Sequence, residues 1–115
     1  MTNKNYTLIF READRSIFEA IKDGRKKVET RAATTKYQSI KRGEALIFIC
    51  GKSSFQKKVS RAEIFKTIDD LLKKYKVSDI HPDLKFKEEL EKLYFSFSGY
   101  REKIKKYGLI ALELK

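Results

Sequence analysis

Residues 45–50 read "ALIFIC", the longest uninterrupted apolar run of the chain. Six apolar residues in succession leave neither face of a strand polar, a pattern typical of strands that are buried on both sides. Such a strand needs cover on each face, so the run predicts a covered sheet or a barrel. We expect residues 45–50 to be buried in a mostly antiparallel barrel, and Cys50, the only cysteine, to be an unreactive core thiol.

Strand and helix patterns alternate on both sides of this run. Further strands are predicted over residues 6–10, 26–31, 55–65 and 109–114. In the long strand 55–65 the apolar phase changes near Ser60 or Arg61, which predicts a β-bulge at that point.

Two helices have start or stop signals in the sequence. The first is predicted to begin at Asp14, a candidate N-cap, and to end at Gly24. The second is predicted to begin after Thr67, because Asp70 three residues later resembles a capping box.

Two more helices are predicted from apolar residues at helical spacing, over residues 86–97 and 100–107. The segment 76–83 is predicted to be a loop, in which His81 has no chemical role. Most aromatic residues fit core positions, including Phe18, Phe48, Phe65, Phe86 and Phe97.

Length and composition bound the class of protein. The 115 residues, 41% of them hydrophobic, are expected to form one domain over residues 1–115. No apolar run approaches the roughly 20 residues of a membrane helix. The start, "MTNKNYTLIF", lacks the apolar region of a secretion signal, so a cytoplasmic location is expected. One cysteine and one histidine exclude an internal disulfide and a structural zinc site, and we expect no cofactor and a monomer.

The net charge of +11 is unevenly distributed. Residues 22–42 hold eight Lys and Arg against two acids, which is more than half of the excess. A concentration of cations around one turn is what a polyanion binder uses to displace counterions from phosphates. The alternative is that a high lysine content is a general habit of the source organism, unrelated to binding.

Within that segment, residues 24–31 read "GRKKVETR". Along a strand Glu29 and Arg31 share one face, while Val28 and Thr30 share the other. The simplest interpretation is an ion pair on a solvated strand, worth about 0 to 1 kcal/mol. Lys26 lies at the turn between helix and strand, so alternation does not determine its direction. If Lys26 joins the pair in a cleft, the three side chains form an anion site.

Three stretches together resemble the ASCH domain, a family of the PUA-like β-barrel group. They are "G-x-K-x-x-E-x-R" at 24–31, "I-x-x-G-E" at 40–44 before the apolar strand, and the final "KKYGLIALEL". The resemblance covers almost the whole chain. It implies an α+β fold, a small mixed barrel of about five to six strands with surrounding helices, and a cleft lined by Lys26, Glu29 and Arg31. It also implies an association with RNA.

We therefore expect RNA or a nucleotide as the partner. The residues predicted to contact it are Arg25, Lys26, Lys27, Glu29, Arg31, Lys36, Tyr37, Arg61, Tyr94, Ser98 and Tyr100. Three of these are tyrosines, and a base stacked on one of them would contribute about 1 to 3 kcal/mol. Packing in the core or at a hinge is the alternative role for each tyrosine. A protein-interaction module, recognisable by an exposed apolar patch, is a further possibility.

The main alternative is a small hydrolase acting on RNA or modified nucleosides. One branch similar to this family deacetylates N4-acetylcytidine, using a lysine and a threonine in "G-R-K-x-x-T-x-R". Here Glu29 occupies the threonine position, and Thr30 should face the opposite way. A carboxylate cannot simply replace a hydroxyl nucleophile. Glu29 could instead act as a general base on water or a ribose hydroxyl, with Lys26 as its catalytic partner and Arg31 stabilising the anion.

Overall fold

In the computed structural model, which describes residues 4–115, five strands form one curled sheet. They are β1 (Asn5–Phe10), β2 (Val28–Ala32), β3 (Ala45–Cys50), β4 (Ser53–Phe65) and β5 (Leu109–Leu114). Their order across the sheet is β1-β3-β4-β5-β2. β1 pairs with β3 in parallel, and the remaining pairs are antiparallel. The predicted α+β, PUA-like fold is confirmed.

The central apolar run forms β3 as predicted, but only one of its faces is fully buried. Leu46, Phe48 and Cys50 are inaccessible to solvent. Ile47 and Ile49, which point to the other face, are partly buried. The expectation of complete burial on both faces was therefore wrong for one of them, because the second face of the sheet is only partly covered at this strand.

Five α-helices accompany the sheet in the described part of the chain. They are α1 (Arg15–Asp23), α2 (Ile68–Leu72), α3 (Val77–Ile80), α4 (Lys87–Ser96) and α5 (Tyr100–Tyr107). A 3₁₀ turn, Glu12–Asp14, precedes α1. Helix α3 corrects the prediction of a continuous loop over 76–83. A helix of four residues is too short to produce a recognisable apolar period.

The predicted helix signals correspond to real caps with one exception. The Thr67 hydroxyl accepts a hydrogen bond from the Asp70 amide at 3.0 Å, which caps α2. Gly24 follows α1 in the left-handed conformation, with φ of 88°. Asp14 does occupy the N-cap position of α1, but its carboxylate pairs with Arg11 instead of capping the helix.

The predicted bulge lies in β4, where the pairing with β5 shifts register between Val59 and Arg61. A change of this kind bends the strand and increases its twist. It allows one long strand to pair with β3 over its first half and with β5 over its second half. The bulge thus lets β4 connect the two halves of the curled sheet.

Two hydrophobic clusters pack against the sheet. One joins α2, α3, α4 and α5 to β2 and β5, and the other joins α1 to β1 and β3. The assignment of Phe86 and Phe97 to the core was wrong, since they are 64% and 44% exposed. They lie at the two ends of α4, as its N-cap and C-cap, where helical spacing no longer determines which way a side chain points.

Within residues 4–115, no helix has the length and apolar character that crossing a bilayer requires. The prediction of a single domain over 1–115 includes residues 1–3, which lie outside the described residues, and it stays a prediction.

Gly108, between α5 and β5, provides a test of the fold. It has φ of 78° and ψ of −166°, a conformation almost restricted to glycine. An added Cβ would clash with the Phe65 carbonyl oxygen. We expect Gly108→Ala to lower the free energy of unfolding by about 2 to 4 kcal/mol in urea denaturation, from backbone strain and overpacking together.

Gly24→Ala is the matched control, because Gly24 also has positive φ but an added Cβ would have no neighbour within 4 Å. Its cost should be about 1 kcal/mol, from backbone strain alone. Equal losses for the two variants would contradict the close approach of Gly108 to β4.

Candidate functional site

A cavity of about 700 Å³ opens beside β1 and β2, the two end strands of the sheet. Phe10 of β1 and Glu29, Thr30 and Arg31 of β2 line it, together with residues of α4 and the segment leading into α5. The volume lies within the range of small-molecule sites in proteins. The seam where the curled sheet is left open is therefore a cavity large enough for a small-molecule ligand.

The entrance to β2 places Lys26 inside this pocket. Helix α1 ends at Gly24, and the Lys26 amide then donates to the Ala20 carbonyl at 3.0 Å. The next amide, of Lys27, donates to the Asp79 carbonyl in α3. These two bonds hold the turn so that the Lys26 side chain is buried and its Nζ donates to the Ile80 carbonyl.

Glu29 lies at the centre of the site and is only 4% exposed. Its Oε1 is 3.1 Å from Lys26 Nζ, and its Oε2 is 3.0 Å from Arg31 Nη2. Burial raises the pKa of Glu29, but the charges and hydrogen bonds of Lys26 and Arg31 outweigh burial and hold the pKa below its usual value. The carboxylate is ionised at neutral pH, and the three groups together carry a net charge of +1.

Of the two cations, Arg31 is the one that a ligand can reach, since its side chain is 24% exposed and that of Lys26 is buried. Its guanidinium lies 5.8 Å from the Phe10 ring and 5.6 Å from the Tyr37 ring, within the range of cation–π contacts. Burial lowers the pKa of Arg31, and the carboxylate of Glu29 more than compensates, so the pKa is raised overall. The guanidinium is thus oriented by Glu29 and by aromatic rings of β1 and the segment after β2.

Three hydroxyl groups, of Thr30, Tyr94 and Tyr100, lie beside the charged residues. Thr30 Oγ1 and Tyr94 Oη are hydrogen bonded, and the Ala32 amide donates to Tyr100 Oη at 3.2 Å. Burial raises the pKa of both tyrosines, so both stay protonated. Because Tyr100 Oη accepts from Ala32, its own proton is left to donate.

The pairing of β2 with β5 also determines which main-chain groups of β2 are left for other partners. The Ala33 amide donates to the Gly108 carbonyl, which places the odd-numbered residues of β2 in the hydrogen-bonded pairs with β5. The N–H and C=O of Thr30 therefore point away from β5, on the side where Tyr100 takes the Ala32 amide. A donor and an acceptor lie next to each other there, in the arrangement that the edge of a nucleobase also has.

His81 is a cavity residue that the sequence interpretation missed. It follows α3, and its Nδ1 accepts a hydrogen bond from the Asp83 amide at 3.2 Å. Burial and the nearby charge of Lys26 lower the pKa of His81, so the neutral ring, with its proton on Nε2, is favoured. No local signal could have revealed this position, because it depends on the packing of α3 against β2.

The predicted contact residues divide into three groups. Six line the cavity, namely Lys26, Glu29, Arg31, Tyr94, Ser98 and Tyr100. Tyr37 lies behind Arg31. The remaining four do not line it, and all are exposed: Arg25 pairs with Asp23, Arg61 pairs with Glu63, Lys36 lies near the Tyr37 ring, and Lys27 is at the surface.

The side chains of the site are not those of a metal centre. Within the described part of the chain, no group of three or more His, Cys, Asp or Glu residues could hold a metal ion. Of the two carboxylates that line the cavity, Glu29 is already paired with two cations and Asp14 is paired with Arg11.

The arrangement of Gly24, Lys26, Glu29 and Arg31 at the entrance of β2 agrees with the comparison of the sequence with known families. The model of the ASCH domain matches residues 14–115. The chain belongs to the ASCH domain family. Among curated proteins, none is significantly similar to it in sequence.

Solved structures of similar chains support the ASCH fold over nearly the full length. The crystal structure of the hypothetical protein PH0355 is 31% identical, has a TM-score of 0.83, and the match covers 97% of this chain and 98% of that one. The solution structure of protein PF0455 from Pyrococcus furiosus is 28% identical, with a TM-score of 0.76 and coverage of 97% and 96%. Their names state no activity, so they inform the fold and not the function.

The buried carboxylate gives a stability prediction. Glu29→Gln keeps the shape of the side chain but leaves Lys26 and Arg31 without their anion. We expect it to lower the free energy of unfolding by about 3 to 5 kcal/mol in chemical denaturation. Glu63→Gln, in the exposed pair with Arg61, is the control and should cost less than about 1 kcal/mol. Similar costs for both would show that Glu29 is not buried as described.

The stability that Glu29→Gln loses relative to the wild type should also depend on pH, which is a separate prediction. Because the pKa of Glu29 is lower in the folded state than its ordinary value of 4.5, its stabilisation is present above pH 4.5 and is lost as the pH falls through the folded value. The difference in stability between the wild type and Glu29→Gln should therefore be largest near neutral pH and shrink in acid. A difference that stays constant from about pH 7 to about pH 3 would contradict this account.

Proposed function

We propose that this ASCH domain binds single-stranded RNA and takes one unpaired nucleotide into the cavity beside β2. The observation that carries the proposal is the excess positive charge of the buried triad Lys26, Glu29 and Arg31. An excess cation in a pocket with partial access to water favours an anionic ligand, because interactions between charges are stronger where water is excluded. The association of the family with RNA points the same way.

The groups around the triad suit a nucleotide better than a simple anion. Arg31 offers a planar set of donors, which suits a phosphate or the edge of a base. Tyr100 offers a hydroxyl proton, and Thr30 directs a main-chain donor and acceptor to the same side. A ligand that carries a negative charge and a flat edge with mixed hydrogen-bonding groups would use all of them.

The position of the site favours a single strand. Glu29 and Lys26 lie at the bottom of the pocket, almost inaccessible to solvent. A base within a duplex is stacked and paired, and it cannot enter such a pocket unless it leaves the helix. An unpaired nucleotide enters without that cost. The wider positive surface, with a chain total of +11, would attract the rest of the strand.

The hydrolase alternative is less well supported by the electrostatics. It needs Glu29 to accept a proton near neutral pH, but Lys26 and Arg31 hold the pKa of Glu29 below its usual value. A general base works best when its pKa lies near the working pH. The cavity does contain Thr30 and Tyr94 hydroxyls, but these are bonded to one another and burial keeps the tyrosine protonated.

Arg31→Gln tests the binding proposal. It removes the accessible cation and leaves Lys26 and Glu29 as a neutral pair, so we expect affinity for a short single-stranded RNA to fall about 5- to 150-fold. Arg25→Gln is the matched control. It removes the same charge from the same segment, but Arg25 is exposed, pairs with Asp23 and does not line the cavity. Fluorescence anisotropy of labelled RNA measures both variants.

Equal losses for the two variants would mean that RNA is attracted by the general positive surface and not by the cavity. For four to six contacted phosphates, the logarithm of the binding constant should fall with the logarithm of salt concentration with a slope of about −3 to −4. Gel analysis of the same RNA, and chromatography of N4-acetylcytidine after incubation, test the alternative. Turnover of either by the wild type would favour the hydrolase.

A further inference from the structure

Two large apolar side chains stand at the mouth of the cavity. Ile9 of β1 is 76% exposed, and Phe97, between α4 and α5, is 44% exposed. Both line the cavity, and they come from different elements. Single exposed apolar residues are common on protein surfaces. An isoleucine and a phenylalanine at the rim of a polar, positively charged pocket form an apolar entrance to that pocket.

The Phe97 ring is held in place by its neighbours. It lies edge-on to Tyr100 with ring centroids 5.3 Å apart, and Tyr100 in turn stacks with Tyr94 at 6.4 Å. The Phe97 amide donates to the Tyr94 carbonyl, and its own carbonyl accepts from the Tyr100 amide, both at 3.1 Å. Three aromatic rings thus run from the interior of the pocket to its rim, and Phe97 is the exposed last member.

Of the aromatic rings first considered for stacking, two are poorly placed to receive a base. Tyr94 is buried and hydrogen bonded to Thr30, and Tyr37 lies against the Arg31 guanidinium. Phe97 is the most exposed ring of the aromatic row, since Tyr94 is buried and Tyr100 is only partly exposed. A phenylalanine has no hydrogen-bonding group, so its contribution to binding is through the face or edge of the ring.

The positive charge inside the cavity and the apolar rim together favour one class of ligand. A purely apolar ligand would not use the excess cation, and a simple anion would not use the apolar rim. A nucleotide has a flat ring that stacks on an aromatic residue and a polar, charged remainder that suits Arg31. The two halves of the site are complementary to the two halves of one nucleotide.

We propose that Phe97 stacks on the base of an unpaired nucleotide at the mouth of the cavity, with Ile9 contacting the base from the β1 side. This inference rests on the proposed function. It assigns to Phe97 and Ile9 the contacts that distinguish an unpaired base from a paired one. A duplex base has both faces covered by its neighbours, so it cannot use Phe97. Selection of single strands over duplex follows from this contact.

Phe86 offers a matched control. It is also an exposed phenylalanine at an end of α4, but at the opposite end of the helix and outside the cavity lining. We expect Phe97→Ala to weaken single-stranded RNA binding by about 5- to 150-fold, the range that one stacked base supplies, and Phe86→Ala to leave it unchanged. Phe97→Tyr should retain affinity and Phe97→Leu should not, because leucine keeps apolar bulk without a ring.

A fluorescence measurement follows the contact directly, since the chain contains no tryptophan. Phe97→Trp places a single reporter at the rim, and Phe86→Trp places one at the control position. Stacking of a base should quench the fluorescence of the first variant on addition of single-stranded RNA and leave the second unchanged. A duplex of the same sequence should quench neither.

The outcomes separate the two proposals. If Arg31→Gln weakens binding but Phe97→Ala behaves like Phe86→Ala, with no quenching in Phe97→Trp, the rim contact is overturned and the cavity proposal stands. If duplex and single strand quench the Phe97→Trp variant equally, the selection of unpaired bases is overturned. If the wild type binds neither form of RNA, both proposals fail together.

Discussion

The carboxylate of Glu29 is buried, and a buried charge is costly unless opposite charges and hydrogen bonds compensate it. Lys26 and Arg31 supply that compensation from either side on the same short segment. Two cations around one anion leave a charge of +1, so the group that stabilises the interior also makes the pocket attractive to anions. The structure and the proposed ligand chemistry thus depend on the same three side chains.

Other parts of the fold keep this triad in place. Lys26 donates to the end of α3, which links the entrance of β2 to the helical layer. Arg31 lies against Phe10, which links the opposite end strand of the sheet to β2. A closed barrel would pair β1 with β2 and fill the seam with backbone hydrogen bonds. Because the sheet is left open there, the side chains of both end strands can face a common cavity.

Local patterns predicted much of the fold and part of the site. Strand alternation placed Glu29 and Arg31 on one face, and the phase change in β4 predicted the bulge. The direction of Lys26 could not be predicted, because it depends on bonds from its turn to Ala20 and Asp79. Helix α3 has only four residues, too few for an apolar period to be recognised in the sequence. The position of His81, which follows this helix and lines the cavity, was therefore missed.

The phenylalanines at the ends of α4 show a further limit of periodicity. Phe86 and Phe97 continue the apolar spacing of the helix, but both lie at cap positions where the backbone is no longer helical. The spacing rule assigns a side chain to a face only within the helix. Helix ends are also the least certain feature of a sequence-based prediction. The prediction that Phe97 is a core residue was therefore wrong, and Phe97 instead lies at the rim of the cavity.

Mapping of amide chemical shifts in the ¹⁵N-labelled protein, during titration with a short single-stranded RNA, tests the central claim most directly. If the triad and its cavity bind the nucleotide, the largest changes should fall on the amides of Thr30, Arg31, Ser98 and Tyr100. Amides of exposed lysines that neither line the cavity nor adjoin a lining residue in sequence, such as Lys58 and Lys73, should move little. Changes spread over those lysines, with the cavity amides unmoved, would contradict the account.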